Sequence, residues 1–183
     1  MTWNDHYKKL KSKIKSALSS LQKLKNIIPQ SKLDQVYKAL LESHLRYSNE
    51  IWGSLSNTKL EHLQRLQSRA QTLIESSGLK DGWRCNWLSV PNLIKFDRAV
   101  MTYKILNGMC PENLTGRLVT RSQISNYPTR NQLDLDTPRQ NLEFSKGNFF
   151  FSSAKVWNEI PLTIRTSCTL KTFKRRLKEF LKT

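Results

Sequence analysis

Leu10, Ile14, Ala17, Leu18, Leu21, Leu24 and Ile28 recur at three- and four-residue steps near the start of this chain. Such a stripe lies on one side of a helix and would scatter over both faces of a strand, so the spacing commits the N-terminal region to helix. Lys8, Lys9, Lys11, Lys13, Lys15 and Lys23 fall mainly outside the stripe. Pro29 ends it, because a proline pushes the residue before it away from helical geometry. Ser31 is placed to cap a second helix with Leu33, Val36, Tyr37, Leu40, Leu41 and Leu45 as its apolar side, running to Tyr47 or Trp52 and breaking at Gly53. Thr58 and Glu61 have the spacing of a capping box and open a third helix. Its inward stripe is Leu60, Leu63, Leu66, Ala70, Leu73 and Ile74, with Gly78 as its stop.

Residues 79–91 read as a packed loop, and a fourth helix from Asn92 to Leu106 stops at Asn107-Gly108, with Pro111 beyond it. Between Gly116 and Phe151 the helical spacing disappears. Pro128 and Pro138 punctuate this stretch, and Leu133 and Leu135 alternate with Asp134 and Asp136, which predicts short strands or a hairpin. A short helix from Ser152 to Glu159 is stopped by Pro161. A last helix, Thr169 to Leu181, carries Leu170, Phe173, Leu177, Phe180 and Leu181 on one side. Trp52, Trp83, Trp87, Trp157 and Phe149, Phe150 and Phe151 are assigned to the core, since large aromatics dominate burial.

Charge says more about partners than about fold. The net charge is +17, and residues 1–30 and 161–183 each contribute +6, whereas residues 131–160 hold three bases against four acids. Such a field attracts phosphate polymers or anionic surfaces. Cys85, Cys110 and Cys168 are scattered and lack C-x-x-C spacing, which fits a reducing compartment and gives no zinc framework. No apolar stretch approaches bilayer-spanning length, and the opening residues lack a hydrophobic signal region. Nucleus or cytoplasm is the expected location.

Catalytic patterns are missing. The six glycines form no phosphate-binding loop, and His6, His44 and His62 are widely separated and make no zinc-binding helix. Asp134 and Asp136 form a D-x-D pair, read as outward strand residues because no further carboxylate cluster accompanies them. Ser152 and Ser153 lack the glycine-flanked turn of a hydrolase nucleophile. No cofactor, metal or small-molecule substrate is expected. Binding residues are easier to nominate. Lys8, Lys9, Lys11 and Lys15 on the first helix can track a phosphate backbone, the plain alternative being a solvated lysine face. Arg65 and Arg69 stand one turn apart on the third helix. Arg117, Arg121 and Arg130 accompany Tyr127 in the loop-rich stretch, a mixture suited to phosphate contact and base stacking. Lys171, Lys174, Arg175 and Lys178, with Arg176 and Lys182, lie opposite the apolar side of the last helix.

Four segments carry a resemblance. "LQRLQSRAQTLI" (63–74) looks like a helix near the end of non-LTR (LINE-type) retrotransposon reverse transcriptases, and "LDQVYKALLESHLRYSNEIWG" (33–53) resembles the helix preceding it. "LIKFDRAVMTYKILNGMCPENL" (93–114), and "FSSAKVWNEIPLTIR" (151–165) with "FKRRLKEFL" (173–181), are similar to that family's C-terminal segments, in the family order. The family's polymerase palm carries paired catalytic aspartates; no Y/F-A-D-D sequence occurs here, and the endonuclease domain common in the family is also missing. Some branches end in a zinc knuckle, which three cysteines do not make.

The residue patterns give a mainly α fold with a small α+β C-terminal region over 79–183 holding a short hairpin, and the resemblance implies that residues 1–78 form a thumb-like helical bundle ahead of that region. The resemblance also implies a non-catalytic nucleic-acid-binding fragment of an RNA-directed DNA polymerase, with RNA or an RNA–DNA hybrid as partner and duplex DNA as a further one. Two other readings stand beside it. The first and last helices also suit a basic amphipathic module for anionic membranes or an acceptor groove on a protein. The chain can also be a decayed fragment with no selected role. Exposed apolar faces on these two helices favour the module; buried ones favour the thumb.

Overall fold

The computed structural model describes residues 3–124, 132–137, 141 and 147–182. The chain forms two compact units, Met1–Leu93 and Ile94–Thr183. Among the described residues the structure is mainly helical.

In the N-terminal unit, α1 (Asn4–Leu24) buries Leu10, Ile14, Ala17, Leu18 and Leu21. It ends five residues before Pro29, and Pro29 instead occupies the cap position of α2 (Gln30–Tyr37). Ser31 caps nothing; its own backbone N–H is met at 3.0 Å by the Asp81 carboxylate from a distant loop. The Ser31 hydroxyl, and then this backbone bond, hold the Asp81 carboxyl below its usual range.

Beyond Tyr37 the helix widens into a π-helical turn, Lys38–Glu42, and continues as α3 (Ser43–Arg46). The buried residues Leu33, Tyr37, Leu41 and Leu45 explain the widening. They repeat every four residues, and over three such steps an α-helix would rotate Leu45 about 120° away from Leu33. One π-bulge adds about one residue, roughly 100°, and brings all four back to one face. The cost falls on Leu40, expected inside and found 41% exposed.

Tyr47 is extended and Ser48 left-handed (φ 52°), so the chain turns sharply into α4 (Asn49–Trp52). The Trp52 indole N–H then bonds back to the Tyr47 carbonyl at 2.7 Å, and the ring is buried. The expected capping box at Thr58 and Glu61 does not form, because α5 (Asn57–Glu75) begins one residue before Thr58 and Ser56 stands at its cap. Leu63, Leu66, Ala70 and Ile74 face inward as expected.

α1 and α5 run side by side in the same direction. The Lys59 ammonium meets the Asn4 side chain, Tyr7 meets His62, and beyond both helices the Ser77 hydroxyl donates to the Lys25 carbonyl. Residues 79–93, grouped by sequence with the C-terminal region, belong to this unit. Trp87 stacks on Tyr37 (3.5 Å between centroids) and donates to Asp34 at 2.6 Å. Gln67 donates to both the Tyr37 hydroxyl and the Leu88 carbonyl, and Gln64 accepts from Val90 N–H. Burial pushes the Tyr37 hydroxyl pKa well up, so Tyr37 stays a neutral partner in this network. Trp83 and Trp87 are only half-buried, unlike Trp52.

The unit boundary falls within α6 (Val90–Leu106). That helix closes with Gly108 at φ 66°, where Gly108 N–H bonds Ile105 and Met109 N–H bonds Lys104 across the turn. Both bonds satisfy end carbonyls of the helix, and only glycine takes that φ without a Cβ penalty. Beyond lie α7 (Arg121–Ile124), α8 (Phe149–Glu159), α9 (Leu162–Arg165) and α10 (Leu170–Phe180). α8 starts three residues before Ser152, capped by Asn148, which accepts from Phe150 N–H at 3.0 Å. This places Phe149, Phe150 and Phe151 in its first turn, half-buried rather than in the core. The core here is Tyr103 stacked on Phe173 (4.5 Å) with Trp157 beside it (5.7 Å). Thr169 caps α10, which buries Phe173 and Leu177 and leaves Leu170, Phe180 and Leu181 half-exposed.

The expected hairpin is corrected. Among the described residues there is no strand, only one antiparallel bridge between Thr120 and Leu135. Leu135 is fully buried whereas Leu133 is 55% exposed, so the alternation does not mark two inward positions. On its other side Leu135 meets a side chain instead of a strand. Asn158 accepts from its N–H at 2.8 Å and donates to its carbonyl at 2.9 Å. With both backbone groups satisfied by one amide, no further ladder is needed.

Candidate nucleic-acid interface

The nominated cations separate into groups with different roles. In α1 the helical period places Lys8, Lys11 and Lys15 on the flank beside α5, and Lys9 with Lys13 on the opposite flank. Lys13 lines a shallow groove of about 210 Å³ with Ser16, Ala17, Ser20, Leu40 and His44. Lys8 lies 3.8 Å from Asp5, both exposed, so this pair is weak.

Lys11, Lys15 and Arg65 converge on one imidazole. The His62 pKa is lowered first by partial burial, then by the positive charges of Lys11, Arg65 and Lys15. Its ring Nδ1 lies 2.7 Å from the Tyr7 hydroxyl. Lys59 stands over the Tyr7 ring, 5.7 Å from the centroid. Register along the paired helices brings Arg69 level with Lys15 on the same flank. No described carboxylate pairs with Lys11, Lys15, Arg65 or Arg69. Two parallel helices thus present one band of uncompensated positive charge. Tyr7, Lys59 and His62 belong to it and were missed by sequence, because Tyr7 and His62 are 55 positions apart and meet only through packing.

The second unit uses its arginines differently. Arg165 bonds Asp134 at 3.0 Å, with the two side chains only 11% and 19% exposed, and also donates to the Leu133 carbonyl. Asp134, half of the D-x-D pair, is therefore taken by an arginine. Arg176 donates to the Thr163 carbonyl, and Arg117 lies 5.6 Å over the Phe150 ring. Lys171, Lys174 and Arg175 remain exposed on α10, Lys178 is half-buried, and Arg121 is exposed. Arg130 and Tyr127 lie outside the described residues.

Among the described residues no three His, Cys, Asp or Glu side chains gather as they would around a metal ion. None of the described helices is long and apolar enough to cross a membrane. No family model, curated protein or solved structure matches the chain.

Proposed function

We propose that this chain is a non-catalytic nucleic-acid-binding fragment resembling the thumb and C-terminal region of a non-LTR retrotransposon reverse transcriptase. It holds RNA or an RNA–DNA hybrid through its phosphates. The observation that carries the reading is the band of Lys11, Lys15, Arg65 and Arg69 across α1 and α5, where cations from two helices converge without carboxylate partners. Such a cluster is repulsive in isolation and is relieved by an anionic polymer. The contacts are to backbone rather than bases, so the chain grips duplex with little sequence reading. A second basic face on α10, Lys171, Lys174 and Arg175, adds contacts of the same kind. The membrane or protein-docking alternative needs free apolar faces on the first and last helices. Here Leu10, Ile14, Ala17, Leu18 and Leu21 of α1 are buried in their own unit, which favours the thumb-like reading; α10 buries Phe173 and Leu177 and leaves Leu170, Phe180 and Leu181 half-exposed.

The test is binding to single-stranded RNA, duplex DNA and an RNA–DNA hybrid across a salt series. The expected result is steeply salt-dependent binding that favours RNA or hybrid. Substituting Gln for Lys8, Lys9, Lys11 and Lys15 flattens the slope without unfolding the chain. Weak binding to all three at physiological salt would overturn the proposal.

A further inference from the structure

His62 has a feature that simple charge attraction does not use. This inference rests on the nucleic-acid reading above and concerns the chemistry of one contact within it. In the neutral ring the Tyr7 hydroxyl donates to Nδ1 at 2.7 Å, which leaves the ring proton on Nε2. In the charged ring Nδ1–H donates back to the same oxygen and the hydroxyl rotates. Tyr7 therefore braces the imidazole in both states, and Nε2–H is a donor in both. Nε2 has no partner among the described residues.

The groups facing this ring are known from each neighbouring helix. α1 brings Tyr7, Lys11 and Lys15; α5 brings Arg65 on its own flank and Lys59 one turn before; α2, also packed on α5, brings it no charged group. We infer that His62 contacts a backbone phosphodiester through Nε2 and takes up a proton as the nucleic acid binds. Partial burial and three cations keep the free ring below its ordinary pKa, mostly neutral at neutral pH. A phosphodiester set among those cations cancels their field and restores the imidazolium. Its own charge does not titrate near neutrality, so the pH dependence comes from the protein. Binding at this site tightens as pH falls, and one linked proton contributes at most about tenfold per pH unit.

The experiment measures the dissociation constant of the whole chain for a labelled RNA–DNA hybrid from about pH 8 to about pH 5.5 at fixed ionic strength. Wild type, His62→Gln, His6→Gln and His44→Gln are compared, with the His62 ring protons followed by NMR in wild type with and without hybrid. Wild type and the His6 and His44 variants are expected to tighten about fivefold to tenfold more than His62→Gln over this range. The His62 midpoint is expected to rise when hybrid is added. Equal pH slopes in wild type and His62→Gln, or a midpoint unmoved by saturating hybrid, would overturn the inference and leave the nucleic-acid reading standing. No salt-dependent binding by any variant would sink both. The NMR arm uses the unmodified chain, so a folding defect in a variant does not decide the outcome.

Discussion

In the N-terminal unit, Lys11, Lys15 and Arg65 stand together around His62 with no carboxylate paired to them. In the C-terminal unit, Arg165 is bonded to Asp134, Arg176 to a backbone carbonyl, and Arg117 lies against Phe150. The two ends of the chain carry the same net charge, yet the α1–α5 flank leaves its cations without carboxylate partners while the C-terminal unit uses several internally. The difference follows from how each core is closed. The N-terminal helices are tied by Gln67 to Tyr37 and Leu88, by Gln30 to the Ile74 carbonyl, and by Trp87 to the Asp34 carboxylate. Lys38 pairs with Asp34 and Arg46 with Glu42, but Lys11, Lys15 and Arg65 are not drawn into the core's closure. In the C-terminal unit an irregular segment, 132–137, lies against the helices and must have its polar backbone satisfied. Asn158 and Arg165 do this from α8 and α9.

The largest expected effect sharpens the core side of the comparison. Trp157→Ala removes a buried ring beside Phe173 and is expected to destabilise the C-terminal unit by about 3–5 kcal/mol in urea titration. Near-neutral stability would mean that the aromatic stack does not hold this unit together.

Arginine substitutions in the two units come next. Arg165→Met leaves Asp134 nearly buried without its partner and is expected to cost about 3 kcal/mol, read from the same denaturation curves. Arg65→Gln is expected to leave stability unchanged, or to raise it slightly by relieving repulsion, while lowering the salt slope of hybrid binding by about 0.7–0.9. If the two substitutions instead gave the same stability loss, the distinction between inward and outward cations would fail.

Gln67→Leu probes the neutral network and is expected to cost about 1–3 kcal/mol, because the buried Leu88 carbonyl loses its donor. A larger effect on hybrid binding than on stability would show that this network also shapes the basic band.

The smallest effect is the pH dependence of the N-terminal unit. The folded-state pKa of His62 lies below its ordinary value of 6.5, so at higher pH both states are neutral and the residue contributes nothing. As pH falls through about 6.5 the unfolded chain takes up the proton first, and stability declines until the folded ring is protonated too. Urea curves between about pH 7.5 and pH 5 are expected to show a shallow decline that His62→Gln reduces. An identical decline in the variant would assign it to other groups.

Much of the helical framework is legible in the residues. The inward stripes of α1 and α5 and the glycine stop after α6 follow from helical period and backbone sterics, both local properties. Starts and caps were less legible: α2, α5 and α8 begin before Ser31, Thr58 and Ser152 because a distant carboxylate, a serine at the cap position and an asparagine set their ends. Among the described residues of the expected hairpin, pairing does not extend beyond the Thr120–Leu135 bridge, for a physical reason that alternation cannot reveal. A side-chain amide offers the same donor–acceptor pair as a neighbouring strand, and Asn158 supplies it from 23 positions away.

The candidate interface divides in the same way. The sequence by itself determined that the chain is strongly basic, that its helices are amphipathic, and which lysines and arginines lie outside their apolar stripes, because charge and periodicity are properties of residue type and spacing. Only the tertiary structure decided which cations are drawn into the fold and which are left without a carboxylate. The parallel pairing of α1 and α5 brings Lys11, Lys15 and Arg65 to His62, and the packing of 132–137 turns Arg165 inward. Both depend on contacts between residues far apart in the chain, and no local pattern encodes that geometry.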